Sequence, residues 1–174
     1  MTLAILSFGA IIIILVGLSL VTFNGLVAKR QKVRNAWSDI DVWLKRRADI
    51  IPSLTATVKA YAAHESDLLE RAALKRAEIL AHQSGIDEHI QAEINLSSPL
   101  AQLLLVAEDY PELKASENFL ELQNALAESE EKIEMSRRYY NGVVKEYIVF
   151  SRIFPNNIIA KLFGFENGYY FGLS

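Results

Sequence analysis

The sequence predicts an all-α protein in which an N-terminal transmembrane helix precedes an elongated antiparallel helical bundle with coiled-coil-like packing. Three observations lead to this fold class. Glycine and proline number only 8 and 4 among 174 residues, which favours long helices over a β fold with many turns. The first 28 residues carry no ionisable side chain. After them, apolar residues recur at steps of three and four, the spacing of one helix face.

Composition excludes several classes of protein. Hydrophobic residues make up 51% and charged residues 22% of the chain, which fits neither a disordered protein nor a polytopic membrane protein. The net charge of −3 gives no electrostatic basis for binding nucleic acid. The chain contains no cysteine, which excludes disulfides, thiolate metal sites and a lipidated N-terminal cysteine.

The apolar N-terminal segment predicts a membrane anchor. Residues 3–23 would form a helix about 31 Å long, close to the hydrocarbon thickness of a bilayer. A cleaved signal peptide is the alternative, but it would have a basic start and a small-residue cleavage site. Neither Met1-Thr2 nor the sequence around Phe23 provides these features. We therefore predict a retained, single-pass anchor that holds residues 1–24 in the lipid bilayer.

Basic residues beside the anchor predict its orientation. Four of them follow the predicted span, namely Lys29, Arg30, Lys32 and Arg34, and none precedes it. The positive-inside rule then places the helical domain in the cytoplasm. The alternative is that these residues only cover a helix surface, in which case the domain could lie on the periplasmic or extracytoplasmic side.

An apolar stripe predicts one long helix after the anchor. The helix would extend from about Gly25 to Gln83, roughly 85 to 90 Å, with Gly85 terminating it. Pro52 should kink this helix without reversing the chain, because the stripe keeps its phase across it. A reversal near Pro52, giving four shorter helices, is the alternative. The stripe consists of Val33, Trp37, Ile40, Leu44, Arg47, Ile51, Leu54, Val58 and Tyr61.

Capping signals predict the helices of the C-terminal half. Ser98-Pro99 suits the start of a second helix, which Tyr110-Pro111 would end. Ser116 is a suitable N-cap for a third helix, whose apolar face continues to Phe154 before Pro155 stops it.

The last part of the chain is amphipathic and then aromatic. A short helix with Ile158, Ile159, Leu162 and Phe163 on its apolar positions would close at Gly164. The tail is too apolar for a free terminus, so it either folds onto the bundle or contacts a partner or the membrane surface. The resulting division is an anchor at 1–24, a bundle at 25–164 and a tail at 165–174.

The sequence offers no catalytic or metal-binding constellation. His64-Glu65 could begin a zinc-protease helix, but Leu68 stands where the second histidine is required. His82 and His89 are too far apart along a helix to form a local ligand pair. No nucleophile elbow or phosphate-binding loop is present. We therefore expect no metal, no cofactor and no enzymatic activity.

Two interpretations of the charged block at 39–49 stay open. It is either a polar recognition surface or a solvated helix face with pairs such as Asp41–Lys45, each worth a few tenths of a kcal/mol. Arg47 differs, because it lies on the apolar stripe, where a basic residue can fix register or partner choice.

Unequal helix lengths predict a homo-oligomer. The second helix is much shorter than the first, so the membrane-proximal part of the stripe would remain uncovered within one chain. Another copy should then cover it. The candidate residues for self-association or partner binding are Val33, Trp37, Ile40, Trp43, Leu44 and Arg47.

Eight blocks in a fixed order resemble the LemA family, and together they span essentially the whole chain. The blocks are NGLVAKR at 24–30, VRNAWSDIDVWLKRRADIIP at 33–52, TVKAYAAHE at 57–65, AEDYPELKA at 107–115, NF at 118–119, RRYYN at 137–141, FPN at 154–156 and FGF at 163–165. Three positions depart from the family pattern: Trp43 stands where glutamine is usual, Ser53 where asparagine is usual, and Ile148 where Tyr-Asn is usual.

The resemblance implies a bacterial, membrane-anchored helical bundle in the inner (plasma) membrane, and it supplies no reaction. Two functions therefore remain. The first is a membrane-tethered scaffold or adaptor that binds protein partners and itself. The second is an accessory or regulatory subunit of a membrane enzyme, such as a quality-control protease.

Overall fold

The structure is a computed structural model that describes residues 2–62, 64–81 and 100–165. All regular secondary structure in these ranges is helical, which confirms the all-α fold class. The helices are α1 (Thr2–Tyr61), α2 (Ser66–Ala81), α3 (100–109 as far as the described residues extend), α4 (Pro111–Lys114), α5 (Glu117–Arg152) and α6 (Asn156–Leu162).

The first helix passes through Pro52 without reversing, as predicted, but it does not reach Gln83. It ends at Tyr61, where the Ala62 N–H donates to the Val58 carbonyl at 2.8 Å. The chain then turns into α2, so the expectation of one helix to Gln83 is wrong. The reason is burial. Leu68 and Ala72 of α2 lie in the same core as Val58, and an uninterrupted helix would carry these α2 residues away from that core.

The chain divides into two compact units. The described residues of unit 1 lie within Met1–Trp37 and Arg138–Tyr170, and those of unit 2 lie within Ser38–Arg137. Both α1 and α5 therefore contribute to each unit.

Unit 2 has a continuous aliphatic core. The chain reverses after α1 and forms an internal bundle. The alternative prediction, a reversal near Pro52, expected such a bundle, but the observed turn lies about ten residues later. All five helical segments of unit 2 contribute to it. The buried residues are Ala48, Ile51, Leu54 and Val58 of α1, Ala62 in the turn after it, Leu68 and Ala72 of α2, Leu100, Leu103 and Ala107 of α3, Leu113 of α4, and Phe119 and Leu126 of α5.

Unit 1 has a smaller core. Leu26 of α1, Tyr147 of α5 and Ala160 of α6 are buried together, with partly buried apolar residues around them. Before Leu26, the helix is long and apolar enough to cross a membrane, judged by length and composition. Most of the side chains described from Leu6 to Val21 are exposed. The hydroxyl of Ser19 donates to its own helix at the Leu15 carbonyl, 2.8 Å away, as a polar group within lipid requires.

The predicted boundaries of the C-terminal helices are largely confirmed. The Leu120 N–H donates to the Ser116 carbonyl at 3.0 Å, the first bond of α5 and the mark of an N-cap residue. Gly164 closes α6 with a φ of 64°, and the next residue donates from its N–H to the Ala160 carbonyl at 2.9 Å. This is a Schellman-type end, in which glycine supplies the left-handed conformation. Ser98-Pro99 and tail residues 166–174 lie outside the described residues.

Candidate interaction site

The structure buries three of the six predicted interaction residues, Ile40, Leu44 and Arg47, inside one chain. In unit 2, Ile40 and Leu44 are 0% and 1% exposed. Contrary to the prediction, these two positions are not open to a second copy, since the bundle covers them. The predicted homo-oligomer itself stays a prediction, and it needs another surface.

Val33 and Trp37 pack within unit 1. Val33 is partly buried against the Leu26 core. The ring of Trp37 meets Tyr140 of α5 edge to face, with centroids 5.8 Å apart. Both residues therefore have a packing role that accounts for their apolar character.

Arg47 is buried in unit 2 and paired across helices. Its guanidinium donates to Glu130 Oε1 at 2.9 Å, and its side chain is only 4% exposed whereas that of Glu130 is 56% exposed. A buried arginine paired with a carboxylate of the facing helix fixes how α1 and α5 align in this unit. The prediction that Arg47 sets register stays a prediction, now with a named partner.

Trp43 is partly buried, as Val33 and Trp37 are. It differs in its neighbours, because the Arg46 guanidinium lies over its ring at 5.3 Å from the centroid. Val42 beside it is 61% exposed. We call Val42, Trp43 and Arg46 the Trp43 patch. Tryptophan and arginine are the side chains most enriched where proteins bind each other tightly, so this patch is the candidate interaction surface.

The rest of the charged block contains local ion pairs. Lys45 Nζ contacts Asp41 Oδ2 at 2.7 Å, which confirms the predicted pair. Asp49 Oδ1 lies 3.8 Å from the Arg76 guanidinium of α2. Exposed pairs of this kind contribute little to stability.

Sequence reasoning missed the role of Arg76. Because Pro52 has no N–H, the Ala48 carbonyl four residues earlier loses its helical donor. Arg76 Nε fills that place, donating to the Ala48 carbonyl at 3.0 Å. The two residues are 28 positions apart, so only the hairpin of α1 and α2 brings them together.

A groove of about 420 Å³ lies beside this contact, within unit 2. Its lining is aliphatic apart from the hydroxyl of Thr55 and the cationic ends of Lys59 and Arg76. The Thr55 hydroxyl is hydrogen-bonded to the carbonyls of Ile51 and Pro52, both at 2.9 Å. Such a groove could accommodate an apolar or acidic side chain, but it assembles no acid–base pair.

Basic residues of unit 1 meet aromatic rings and one carboxylate. Lys29 Nζ lies 5.4 Å from the Phe150 ring centroid, and the Arg30 guanidinium lies 4.8 Å from that of Phe165. Lys32 and Lys29 approach Glu146 Oε2 at 3.3 and 3.6 Å. The hydrogen bond and charge of Lys32, and the charge of Lys29, lower the pKa of Glu146 below its ordinary value.

Metal binding finds no support in the residues that the structure describes. Among them, no three His, Cys, Asp or Glu side chains lie close enough to share an ion. His64 is exposed in the turn after α1, whereas His82 and His89 lie outside the described residues.

Comparison with known proteins gives consistent matches. A model of the LemA family matches residues 36–174. Magnetosome protein MamQ 2 of Paramagnetospirillum magneticum is 24% identical over 177 residues, covering 87% of this chain and 65% of the relative. Protein LemA of Metamycoplasma hominis is 25% identical over 142 residues, covering 79% of this chain and 63% of the relative. The chain thus spans slightly less than two thirds of these relatives.

Proposed function

The chain belongs to the LemA family, and we propose that it is a membrane-anchored scaffold or adaptor that binds protein partners and itself. On this view it catalyses no reaction. The names of the matched relatives refer to a cellular structure, the magnetosome, or to the family, and not to a reaction. The proposal also names a place, the bacterial inner membrane, with the helical domain on the cytoplasmic side.

One observation carries the proposal: α1 is a single helix from Thr2 to Tyr61. Its first part has the length and composition of a membrane span. Its later turns supply Leu26 to the core of unit 1 and Ile51, Leu54 and Val58 to that of unit 2. A membrane span that continues directly into a folded helical domain suits a protein that holds partners at a bilayer.

The side chains in the described residues support binding more than chemistry. The Thr55 hydroxyl in the unit 2 groove is occupied by backbone acceptors. Arg47 and Arg76 are engaged in holding helices together. The exposed pair of Trp43 and Arg46 remains as a surface that offers contact area and charge together. We propose the Trp43 patch as the contact surface for a protein partner or a second copy.

Orientation follows from the basic residues beyond the span. Lys29, Arg30 and Lys32 contact rings and a carboxylate of unit 1, yet they still place positive charge at one end of the span. A reporter that is active only outside the cytoplasm, fused after Ser174, should therefore be silent. A strong signal would reverse the proposed orientation.

The proposal is tested by affinity capture of the full chain from detergent-solubilised membranes. Recovery of the protein alone, in multiple copies by light scattering, supports a self-assembling scaffold. Recovery of one stoichiometric membrane enzyme supports the accessory subunit instead. A monomer without any captured protein would contradict both.

Two matched variants locate the surface. Trp43→Gln and Ser53→Asn each introduce the residue that is usual in the family, and both positions lie on α1. Trp43→Gln should reduce capture or self-association severalfold, because it removes the aromatic centre of the Trp43 patch. Ser53→Asn, at an exposed position, should leave both unchanged. Equal effects of the two variants would exclude the Trp43 patch.

A further inference from the structure

We propose that α6 is a second membrane contact: its exposed apolar face, Ile158, Leu162 and Phe163, lies in the bilayer beside the α1 span. This inference rests on the membrane anchoring in the proposed function. It concerns unit 1 alone, and it assigns the lipid bilayer as the occupant of this face.

The α6 face is exposed although it is strongly apolar. Leu162 is 73% exposed, and Ile158 and Phe163 are each 56% exposed. Ile158 and Leu162 are four residues apart and therefore lie on one row of the helix. The opposite side of α6 packs inward through Asn156 and Ala160. The helix is thus anchored to unit 1 on one side and offers an apolar row on the other.

The position of Phe163 connects this face to the span. Its ring meets Phe23 of α1 edge to face, with centroids 5.0 Å apart. Phe163 also lines an apolar groove of about 400 Å³ together with Leu15, Val16, Ser19, Leu20 and Phe23. Leu15 lies eight residues before Phe23, about 12 Å along the helix. If these residues of α1 are in the hydrocarbon, the end of α6 lies there with them.

Polar contacts hold α6 at this position along the α1 span. The hydroxyl of Thr22 donates to Asn156 Oδ1 at 3.3 Å, and Asn156 Nδ2 donates to the Phe150 carbonyl at 3.0 Å. Thr22 and Asn156 are both buried, so the bonds form in a dry setting, where they are strong. The start of α6 is therefore fixed to the end of the span.

Charge marks the expected level of the headgroups. Lys29 and Lys32 follow Phe23 by about 9 and 14 Å along α1, outside the segment that Phe163 contacts. On α6 itself, Asn157 and Lys161 are exposed on the side of the helix that adjoins the apolar row. A lysine there can extend its ammonium group toward the headgroups while its stem stays in the apolar layer. This distribution is that of a helix lying in a membrane interface.

The test uses single cysteines, which the native chain lacks. Leu162→Cys, Ile158→Cys, Asn157→Cys and Leu15→Cys are each labelled with a nitroxide. The full-length protein is reconstituted into vesicles of phosphatidylglycerol and phosphatidylcholine in equal parts. Collision rates with oxygen, which enters lipid, and with a nickel chelate, which stays in water, are measured by electron paramagnetic resonance. Circular dichroism checks that each variant retains its helical content.

We expect the oxygen-to-nickel ratio at Leu162 and Ile158 to approach that at Leu15 and to exceed that at Asn157 severalfold. A high ratio at Leu15 with a low ratio at Leu162 would overturn the proposal for α6 while leaving the anchor intact. A low ratio at Leu15 would instead refute the anchoring itself. Spin–spin broadening at Leu162 that disappears on dilution with unlabelled protein would show that a second copy covers the face, and would equally overturn the proposal.

Discussion

The two units differ in how their apolar side chains are covered. In unit 2, thirteen apolar residues from five helical segments form one closed core. In unit 1, the core centres on three buried residues, and long apolar rows remain outside it on α1 and α6. Protein covers the apolar surface in the first case, whereas in the second we assign that role to lipid. The same helix, α1, takes part in both, so its sequence pattern alone does not reveal which environment will cover it.

An acidic residue placed in the buried interior of unit 2 should have the largest effect and is the strongest test of this difference between the units. Leu44→Asp should lower the free energy of unfolding by about 3 to 5 kcal/mol, since it removes a buried side chain and buries a carboxylate. Val42→Asp, two residues away at an exposed position, should change it by less than about 0.5 kcal/mol. Urea unfolding followed by circular dichroism in detergent measures both. A folded but dissociated Leu44→Asp protein would show that Leu44 belongs to an interface instead.

Removing one partner of the buried ion pair should have the next largest effect. Glu130→Gln should cost about 1 to 2 kcal/mol, because it leaves the Arg47 charge buried, although the exposure of Glu130 limits the loss. Arg47→Met, which removes the charge and keeps the length, should be close to neutral. The neighbouring exposed Glu131→Gln serves as the control. If Arg47→Met proved the more damaging of the two, the pair would be a net source of stability.

The contact between Arg76 and the Ala48 carbonyl predicts an interaction between two mutations. Arg76→Met should cost about 1 kcal/mol by removing a donor from a carbonyl that Pro52 deprives of its helical partner. In a Pro52→Ala background the helix supplies its own N–H, so the same change should cost less than half as much. A double-mutant cycle in urea measures this coupling. Strict additivity would mean that Arg76 acts only through the Asp49 ion pair.

In unit 1, two glycines should respond differently to an added methyl group. A Cβ at Gly25 would lie 2.8 Å from Phe150 Cζ, whereas nothing lies within 4 Å of one at Gly142. Gly142→Ala should therefore gain about 0.5 to 1 kcal/mol from helix propensity. Gly25→Ala should lose most or all of that gain because the ring must move. Thermal unfolding compares them, and Phe150→Leu should restore the gain at Gly25. Equal gains at both glycines would show that the ring yields freely.

The smallest expected effect is electrostatic. The pKa of Glu146 is lowered, so its stabilising contribution is full above the unfolded-state pKa and is lost as pH falls through the lower folded-state pKa. Because this carboxylate is exposed, the consequence for stability should be slight. Nuclear magnetic resonance should show its titration moving up toward the ordinary value in Lys32→Met, and less in Lys29→Met. Lys145→Met is the control, and a shift as large there would refute the specific contact.

Much of the fold was predictable because its signals are local. Ser116 and Gly164 mark helix ends through their own backbone chemistry, and the apolar positions of the stripe are indeed buried at Ile40, Leu44 and Leu54. The reversal after Tyr61 was not predictable, since neither glycine nor proline stands between Tyr61 and Ser66. Tertiary burial of the α2 face decided it.

The candidate site was less predictable for the same physical reason. A stripe shows that a surface will be covered, but not whether the cover comes from the same chain. Arg47 lies 83 positions from Glu130 and Arg76 lies 28 from Ala48, so their roles depend on contacts that no local pattern contains. Trp43 remains a candidate contact residue because it is partly exposed and lies beside the exposed Val42 and Arg46.

The order in which segments of the two units follow one another along the chain also has a consequence for synthesis. The Ser38–Arg137 segment of unit 2 is one stretch of chain, and the two segments of unit 1 flank it in the sequence. The bond between Thr22 and Asn156 spans 134 positions. A ribosome therefore releases the Ser38–Arg137 segment of unit 2 before the C-terminal segment of unit 1 emerges. The N-terminal segment of unit 1 is therefore synthesised well before the C-terminal segment that it packs against. The core of unit 1 is therefore completed last, when the Ser38–Arg137 segment of unit 2 can already be folded.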